Sequence, residues 1–210
     1  MSRMPETADF VIGSDGVRRC WWCGADPLYV LYHDTEWGRP VTDDQRLFEK
    51  MCLEGFQAGL SWLTILRKRD AFRSAFRNFD IQRVARFTPN KVEKLLLDAQ
   101  IVRHRGKIES TINNAKRTME LVDEFGSLAS FFWQFEPDEP SVLQRRDQMT
   151  ANRPESVALS KELKKRGWSF VGPTTCYSLM QAMGMVNDHL RDCHHWKIVD
   201  RARSSFSRPG

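Results

Sequence analysis

The chain has 210 residues, 41% apolar and 28% charged, and its five cysteines are an odd number in a chain too large to need disulfide staples. This length suits one domain or two closely packed lobes, and no run approaches the ~18 apolar residues of a membrane span. Met1–Val17 lack a signal-peptide core, so the expectation is an intracellular, cytoplasmic protein with no membrane partner, whose net charge of +5 permits nucleic-acid binding without demanding it.

Residues 1–17 carry no motif and read as a disordered N-terminal tail. A helix is predicted from Thr42, with Gln45 completing a capping box and Asp43 and Asp44 favouring its positive end. Leu47, Phe48, Met51 and Cys52 form its apolar face. A second helix begins near Ser61 and presents Trp62, Ile65, Leu66, Phe72, Phe76 and Phe79, after which Asp80 caps a short segment. Thr88-Pro89 reads as a cap followed by proline at the first helical position. Ile108, Ile112, Ala115, Met119 and Val122 step by four and three until Phe125-Gly126, and Ser127 caps an aromatic helix through Phe135. The polar stretch from Glu136 to Glu155 reads as a surface loop. Ser156 opens a helix ending at Gly167, and Pro173 opens another ending at Gly184. Residues 197–210 read as a C-terminal tail. No segment sustains the two-residue alternation of a half-buried strand, so the fold class is all-α.

Three constellations carry chemistry. Cys20 and His33 stand near one end, His189 and Cys193 near the other. The latter pair, four apart, would share one helical face. Two cysteines and two histidines suit a closed tetrahedral zinc site, although Cys23 competes with Cys20, and His194 and His195 with His189.

The second is Gly167 to Thr174, a tight turn between two helices. It would offer backbone N–H groups and a helix start to a phosphate, with hydroxyls from Thr174 and Thr175 and charge from Lys164, Lys165 and Arg166. An ordinary helical corner uses the same glycines and proline.

The third joins Trp21, Trp22, Tyr29, Tyr32, Trp37 and Trp62 to Glu54, a carboxylate costly to bury in so apolar a segment unless it serves a pocket. Aromatic faces attract a cationic base by ~1–2 kcal/mol when desolvated. For any single aromatic, filling the core is the simpler role.

Ordered strings extend these observations from Arg19 to Cys193: Asp26-Pro27-Leu28-Tyr29, Tyr32-His33-Asp34, Glu36-Trp37-Gly38, Leu53-Glu54-Gly55, Gln57-Ala58-Gly59-Leu60-Ser61-Trp62, Arg103-His104-Arg105-Gly106-Lys107-Ile108, Phe170-Val171-Gly172 and Val186-Asn187-Asp188-His189. In these the chain resembles the 3-methyladenine DNA glycosylase I family of the helix-hairpin-helix glycosylases. The resemblance implies an all-helical fold with a base pocket between two lobes. It also implies a single glycosylase domain over residues 18–196, with the hairpin at about 163–184. One structural zinc ion would join the termini through Cys20, His33, His189 and Cys193.

It further implies a repair hydrolase acting on N-glycosyl bonds, with alkylated double-stranded DNA as substrate; a monomer with no obligate protein partner is the simplest expectation. Glu54 would hydrogen-bond a flipped base, Tyr32 and Trp62 would stack on it, and Trp22, Tyr29 and Trp37 would line the pocket. Gly59-Leu60 would fill the gap left in the duplex, and Gly172, Thr174, Thr175 and Lys165 would meet the phosphates. Where wider relatives carry a catalytic aspartate this chain has Asn187, and on a helix Asp188 would point about 100° away. No lysine nucleophile stands in the pocket strings, so base removal without strand cleavage is expected. A zinc hydrolase or nucleobase deaminase is the rival reading, and the missing H-x-E, P-C-x-x-C and H-E-x-x-H argue against it. A non-enzymatic DNA-binding module would leave Glu54 unexplained.

Overall fold

The computed structural model describes residues 8–140 and 142–210, so only residues 8–17 of the expected N-terminal tail fall within the described part. Its elements are strands β1 (Phe10–Ile12) and β2 (Arg18–Cys20) and helices α1 (Pro27–Thr35), α2 (Asp44–Gln57), α3 (Trp62–Arg67), α4 (Arg69–Ala75), α5 (Ile81–Ala85), α6 (Pro89–Leu96), α7 (Arg105–Phe125), α8 (Leu128–Trp133), α9 (Pro154–Lys165), α10 (Pro173–Ala182) and α11 (Trp196–Ser204). Short 3-10 turns cover Trp21–Cys23, Arg77–Phe79 and Arg146–Gln148. The chain forms two compact units interleaved in sequence. One takes the chain up to Pro40 with Pro137–Ala151 and Met180–Ser207, and the other takes Val41–Glu136, Asn152–Leu179 and Arg208–Gly210.

The larger unit is helical throughout its regular structure, and local chemistry sets most boundaries. Asp43, one residue after the expected Thr42, caps α2 by accepting from Arg46 N at 2.8 Å. Asp44 then accepts from Leu128 N and Ala129 N, so a first-turn carboxylate of α2 also satisfies the start of α8. Ser61, Asp80, Thr88 and Ser127 cap α3, α5, α6 and α8 as the sequence predicts. The helix expected from Ser61 breaks at Lys68, whose ammonium donates to the carbonyls of Ala99 and Gln100, and resumes as α4.

Arg77, Asn78 and Phe79 have positive φ, a left-handed turn that costs about 1–2 kcal/mol per residue. It places Phe79 against Phe76 at 5.5 Å, and both are fully buried. α9 starts at Pro154 rather than Ser156; Ser156 sits in the first turn and bonds back to Arg153. α8 ends at Trp133, before Phe135.

The smaller unit holds what the all-α reading missed. β1 and β2 pair antiparallel with Phe10 opposite Cys20 and Ile12 opposite Arg18, so residues 10–12 are no tail. Three residues are too few for an alternation pattern to register. α11 likewise replaces most of the expected C-terminal tail, burying Trp196 and Val199 on one face. α1 is capped by Asp26, which accepts from Leu28 N and Tyr29 N, with Pro27 at its first position. Gly184 has φ +78, and a Cβ there would lie 2.4 Å from the Pro40 nitrogen, so the close passage of these two segments needs glycine.

Candidate functional site

In the smaller unit Cys20 ends β2, His33 lies on α1, and His189 and Cys193 lie on an irregular turn. Residues 189–193 form no helix, contrary to expectation; the turn is closed by Cys193 N donating to Leu190 O. The four side chains are buried, and their ligand atoms lie within 4.8 Å of one another. Cys20 Sγ is 3.8 Å from His189 Nδ1, and Cys193 Sγ is 3.6 Å from the same nitrogen and 3.5 Å from His33 Nε2. The outward nitrogens are engaged too. His33 Nδ1 meets Asp34 Oδ1 at 2.8 Å, and His189 Nε2 meets the Trp37 carbonyl at 3.2 Å. Such partners fix which nitrogen of each ring is left to bind a metal.

Asp34 is in turn gripped by Arg19, which also binds Asp15. Burial works against ionising Asp34, but hydrogen bonds from Arg19 and His33 outweigh it and hold the carboxyl below its ordinary range. A hydrogen bond from Cys20, with help from His189 and His33, drives Cys193 far below the usual thiol range; Cys20, the donor, is pushed up. Burial lowers His189, favouring neutral imidazole. This donor set could hold a metal ion. Cys23 stands outside it: burial raises its thiol to about 12, and Sγ donates to the Cys20 carbonyl. His195 instead forms a second group with His33 and Asp34, and His194 is exposed.

Beside this group the structure gathers four of the expected aromatics. Trp22 lies 4.8 Å from Trp37, 5.1 Å from Tyr29 and 6.4 Å from Tyr32, centroid to centroid. Its indole N–H is buried without a hydrogen-bond partner, a costly state that a polar ligand would relieve. Trp21, like Trp22, packs against the Cys20–Cys193 cluster, and Arg146 lies over its ring.

Glu54 and Trp62 belong to the larger unit, on α2 and α3, and both are buried. Between them stands Lys50, which sequence reasoning passed over. Its ammonium is 2.7 Å from Glu54 Oε1 and 3.2 Å from the centre of the Trp62 ring. After α2 the chain turns at Gly59, φ +81, and leaves Leu60 43% exposed. Buried Lys107 holds that turn by donating to Phe56 O at 2.9 Å and Ala58 O at 2.6 Å.

The Gly167–Thr174 turn is secured by α7: Asn114 exchanges two hydrogen bonds with the Ser169 backbone, and Ser110 donates to Ser169 O. Thr174 and Lys165 are exposed, Gly172 and Thr175 half-buried, and a Cβ at Gly172 would meet open space.

The family model for methyladenine glycosylases matches residues 22–196. The chain belongs to the methyladenine glycosylase family. It is 48% identical over 179 residues to DNA-3-methyladenine glycosylase 1 of Escherichia coli (strain K12), covering 84% of this chain and 96% of that protein. A crystal structure of 3-methyladenine DNA glycosylase I superposes with TM-score 0.81 at 49% identity, covering 84% of this chain and 98% of that one. A tyrosine-to-phenylalanine variant of 3-methyladenine DNA glycosylase I, in complex with 3-methyladenine, matches with TM-score 0.80 at 35% identity over 84% of this chain and 96% of that one.

Position 187, after α10, carries an asparagine rather than a carboxylate. Asn187 donates to Trp196 O, and Asp188, buried in an irregular segment rather than a helix, accepts from Gln181 at 2.8 Å. Sequence reasoning missed Asp34 and Arg19 behind the histidines, as well as Lys50. A Lys-x-x-x-Glu spacing was the available signal, but it usually marks a solvated helix face.

Proposed function

We propose that this chain excises 3-methyladenine from alkylated double-stranded DNA in base-excision repair, hydrolysing the N-glycosidic bond without cutting the strand. The observation that carries the reading is the buried Glu54 carboxylate, linked through the Lys50 ammonium to the Trp62 face, in a methyladenine glycosylase. Methylation at N3 makes the base a cation, so it leaves as a neutral molecule and needs little acid catalysis. The enzyme's task is to flip, select and hold, and flipping costs a few kcal/mol. Glu54 would hydrogen-bond the adenine edge and favour positive charge developing on the sugar. Trp62 and Tyr32 would stack on the ring, with Trp22, Tyr29 and Trp37 completing the aromatic surroundings.

The DNA contacts follow the same reading. Exposed Leu60, after Gly59, would fill the gap left by the flipped nucleotide, and the helix-hairpin-helix at about 163–184 would hold phosphate. There the first N–H groups of α10 at Thr174 and Thr175, free of intrahelical partners by geometry, act with Lys165. Acting as a monomer inside the cell on DNA would need no further protein.

For Cys20, His33, His189 and Cys193 the ion would be a single structural zinc. Zinc–sulfur bonds of about 2.3 Å and zinc–nitrogen bonds of about 2.0 Å in a tetrahedron set sulfur–nitrogen edges of about 3.5 Å. The 3.5–3.8 Å separations fit that requirement. Four protein ligands leave no open position for catalytic water.

The test is to incubate metal-replete protein with methylated duplex DNA and identify released bases by chromatography. Release of 3-methyladenine with intact strands is expected; no release by folded protein sinks the reading.

A further inference from the structure

Lys50 and Glu54 are one turn apart on α2, so both side chains leave the same helical face. Each residue is 6% exposed. The Lys50 ammonium lies 2.7 Å from Glu54 Oε1 and 3.2 Å from the Trp62 ring centre. A carboxylate and an indole face are the two groups assigned above to the methylated base, so a cation of the protein's own already covers both. We propose that Lys50 is a placeholder for the cationic base, displaced when the base enters and returning to expel it after cleavage. This rests on the proposed excision of 3-methyladenine.

Charge governs the exchange. Before cleavage the base is a cation and replaces Lys50 charge for charge on Glu54 and Trp62. Cleavage of the sugar–N9 bond leaves its electron pair on N9, which neutralises the base. Water adds hydroxyl to the sugar carbon and its other proton passes to solvent. The neutral base then loses its ionic attraction to Glu54 and most of its cation–π attraction to Trp62, while the ammonium keeps both. Lys50 therefore competes weakly with substrate and strongly with product. Its flexible four-carbon stem lets the ammonium swing away without moving α2. Affinity falls at the step where release is wanted, which is differential binding along the reaction.

The test compares inhibition of excision by free 3-methyladenine in the wild type, Lys50→Met and Lys50→Arg. Lys50→Met is expected to lower the inhibition constant at least tenfold, and Lys50→Arg, which retains a cation, to stay within threefold of the wild type. An unchanged constant in a Lys50→Met protein that still excises overturns the exchange. A second measurement needs no variant. Acetylation of Lys50 in the wild type, mapped by mass spectrometry, should rise at least threefold under saturating 3-methyladenine, and equal protection with and without the base overturns the proposal. A wild type that releases no base from methylated DNA sinks the functional reading itself. Normal release with an unaltered inhibition constant and acetylation pattern sinks the exchange alone.

Discussion

The ion pair between Lys50 and Glu54 changes what a substitution at Glu54 reports. Glu54→Ala leaves a buried ammonium without its carboxylate, a loss of about 3–5 kcal/mol that mixes stability with chemistry. Glu54→Gln keeps the shape and a hydrogen-bonding carbonyl while removing the charge. We expect it to slow 3-methyladenine release about 10²–10³-fold, the scale of losing a positioned electrostatic partner. Single-turnover excision measures this, and a rate within threefold of the wild type would remove the Glu54 charge from the mechanism. Trp62→Ala should weaken base binding by about 1–3 kcal/mol through lost stacking. Titration with free 3-methyladenine checks it, and unaltered affinity would take Trp62 out of the base site. Glu54 stood out in the sequence because a carboxylate among Met51, Cys52, Leu53 and Phe56 has no cheap structural explanation. Lys50 did not, because nothing in a one-turn Lys–Glu spacing says that α3 will cover the pair with an indole face.

Elements were legible where a side chain writes the boundary. Ser61, Asp80, Thr88 and Ser127 each accept from a backbone N–H in the first turn of their helices, and the sequence names all four. The break at Lys68 was not legible, since no cap, proline or glycine marks it and the Lys68 ammonium bonds carbonyls of Ala99 and Gln100 some thirty residues away. Nor was the β1–β2 hairpin, whose strands are shorter than the pattern that reveals strands. Two glycines of similar backbone angle separate conformation from crowding. Gly126 has φ +81 with nothing within 4 Å of an added Cβ, whereas Gly184, φ +78, would press its Cβ on Pro40 backbone. Gly126→Ala is expected to cost about 1 kcal/mol for the left-handed residue alone. Gly184→Ala should cost about 1–3 kcal/mol more, because backbone cannot move aside as a side chain can. Urea denaturation of both variants decides it, and equal losses would mean that the Pro40 passage yields.

At the scale of the molecule, the Cys/His group brings together residues from the two ends of the smaller unit's sequence, separated by the sequence that builds the larger one. Cys20 and His189 are 169 residues apart, and the intervening chain contributes most of the fold. A cross-link over so long a loop removes much denatured-state entropy, and a metal that binds only the folded form adds its own binding energy. The ligand set was open in the sequence because Cys23 shares a C-x-x-C with Cys20; in the fold Cys23 Sγ donates to the Cys20 carbonyl, and Cys20 is the cysteine that clusters with His33, His189 and Cys193. On the proposed zinc assignment, Cys20→Ser should lower metal content and the melting temperature, while Cys23→Ser should retain the ion. Metal analysis and thermal melts of the two proteins read this directly, and loss of zinc from Cys23→Ser with retention in Cys20→Ser would reverse the assignment. Because thiolate and neutral imidazole are the binding forms, acid competes with the ion. The metal's contribution should accordingly shrink as pH falls, so a chelator should depress the melting temperature by less in mild acid than at neutral pH. A chelator effect that grows on acidification, or that is absent at neutral pH, would show that these four side chains hold the unit together by packing rather than through an ion.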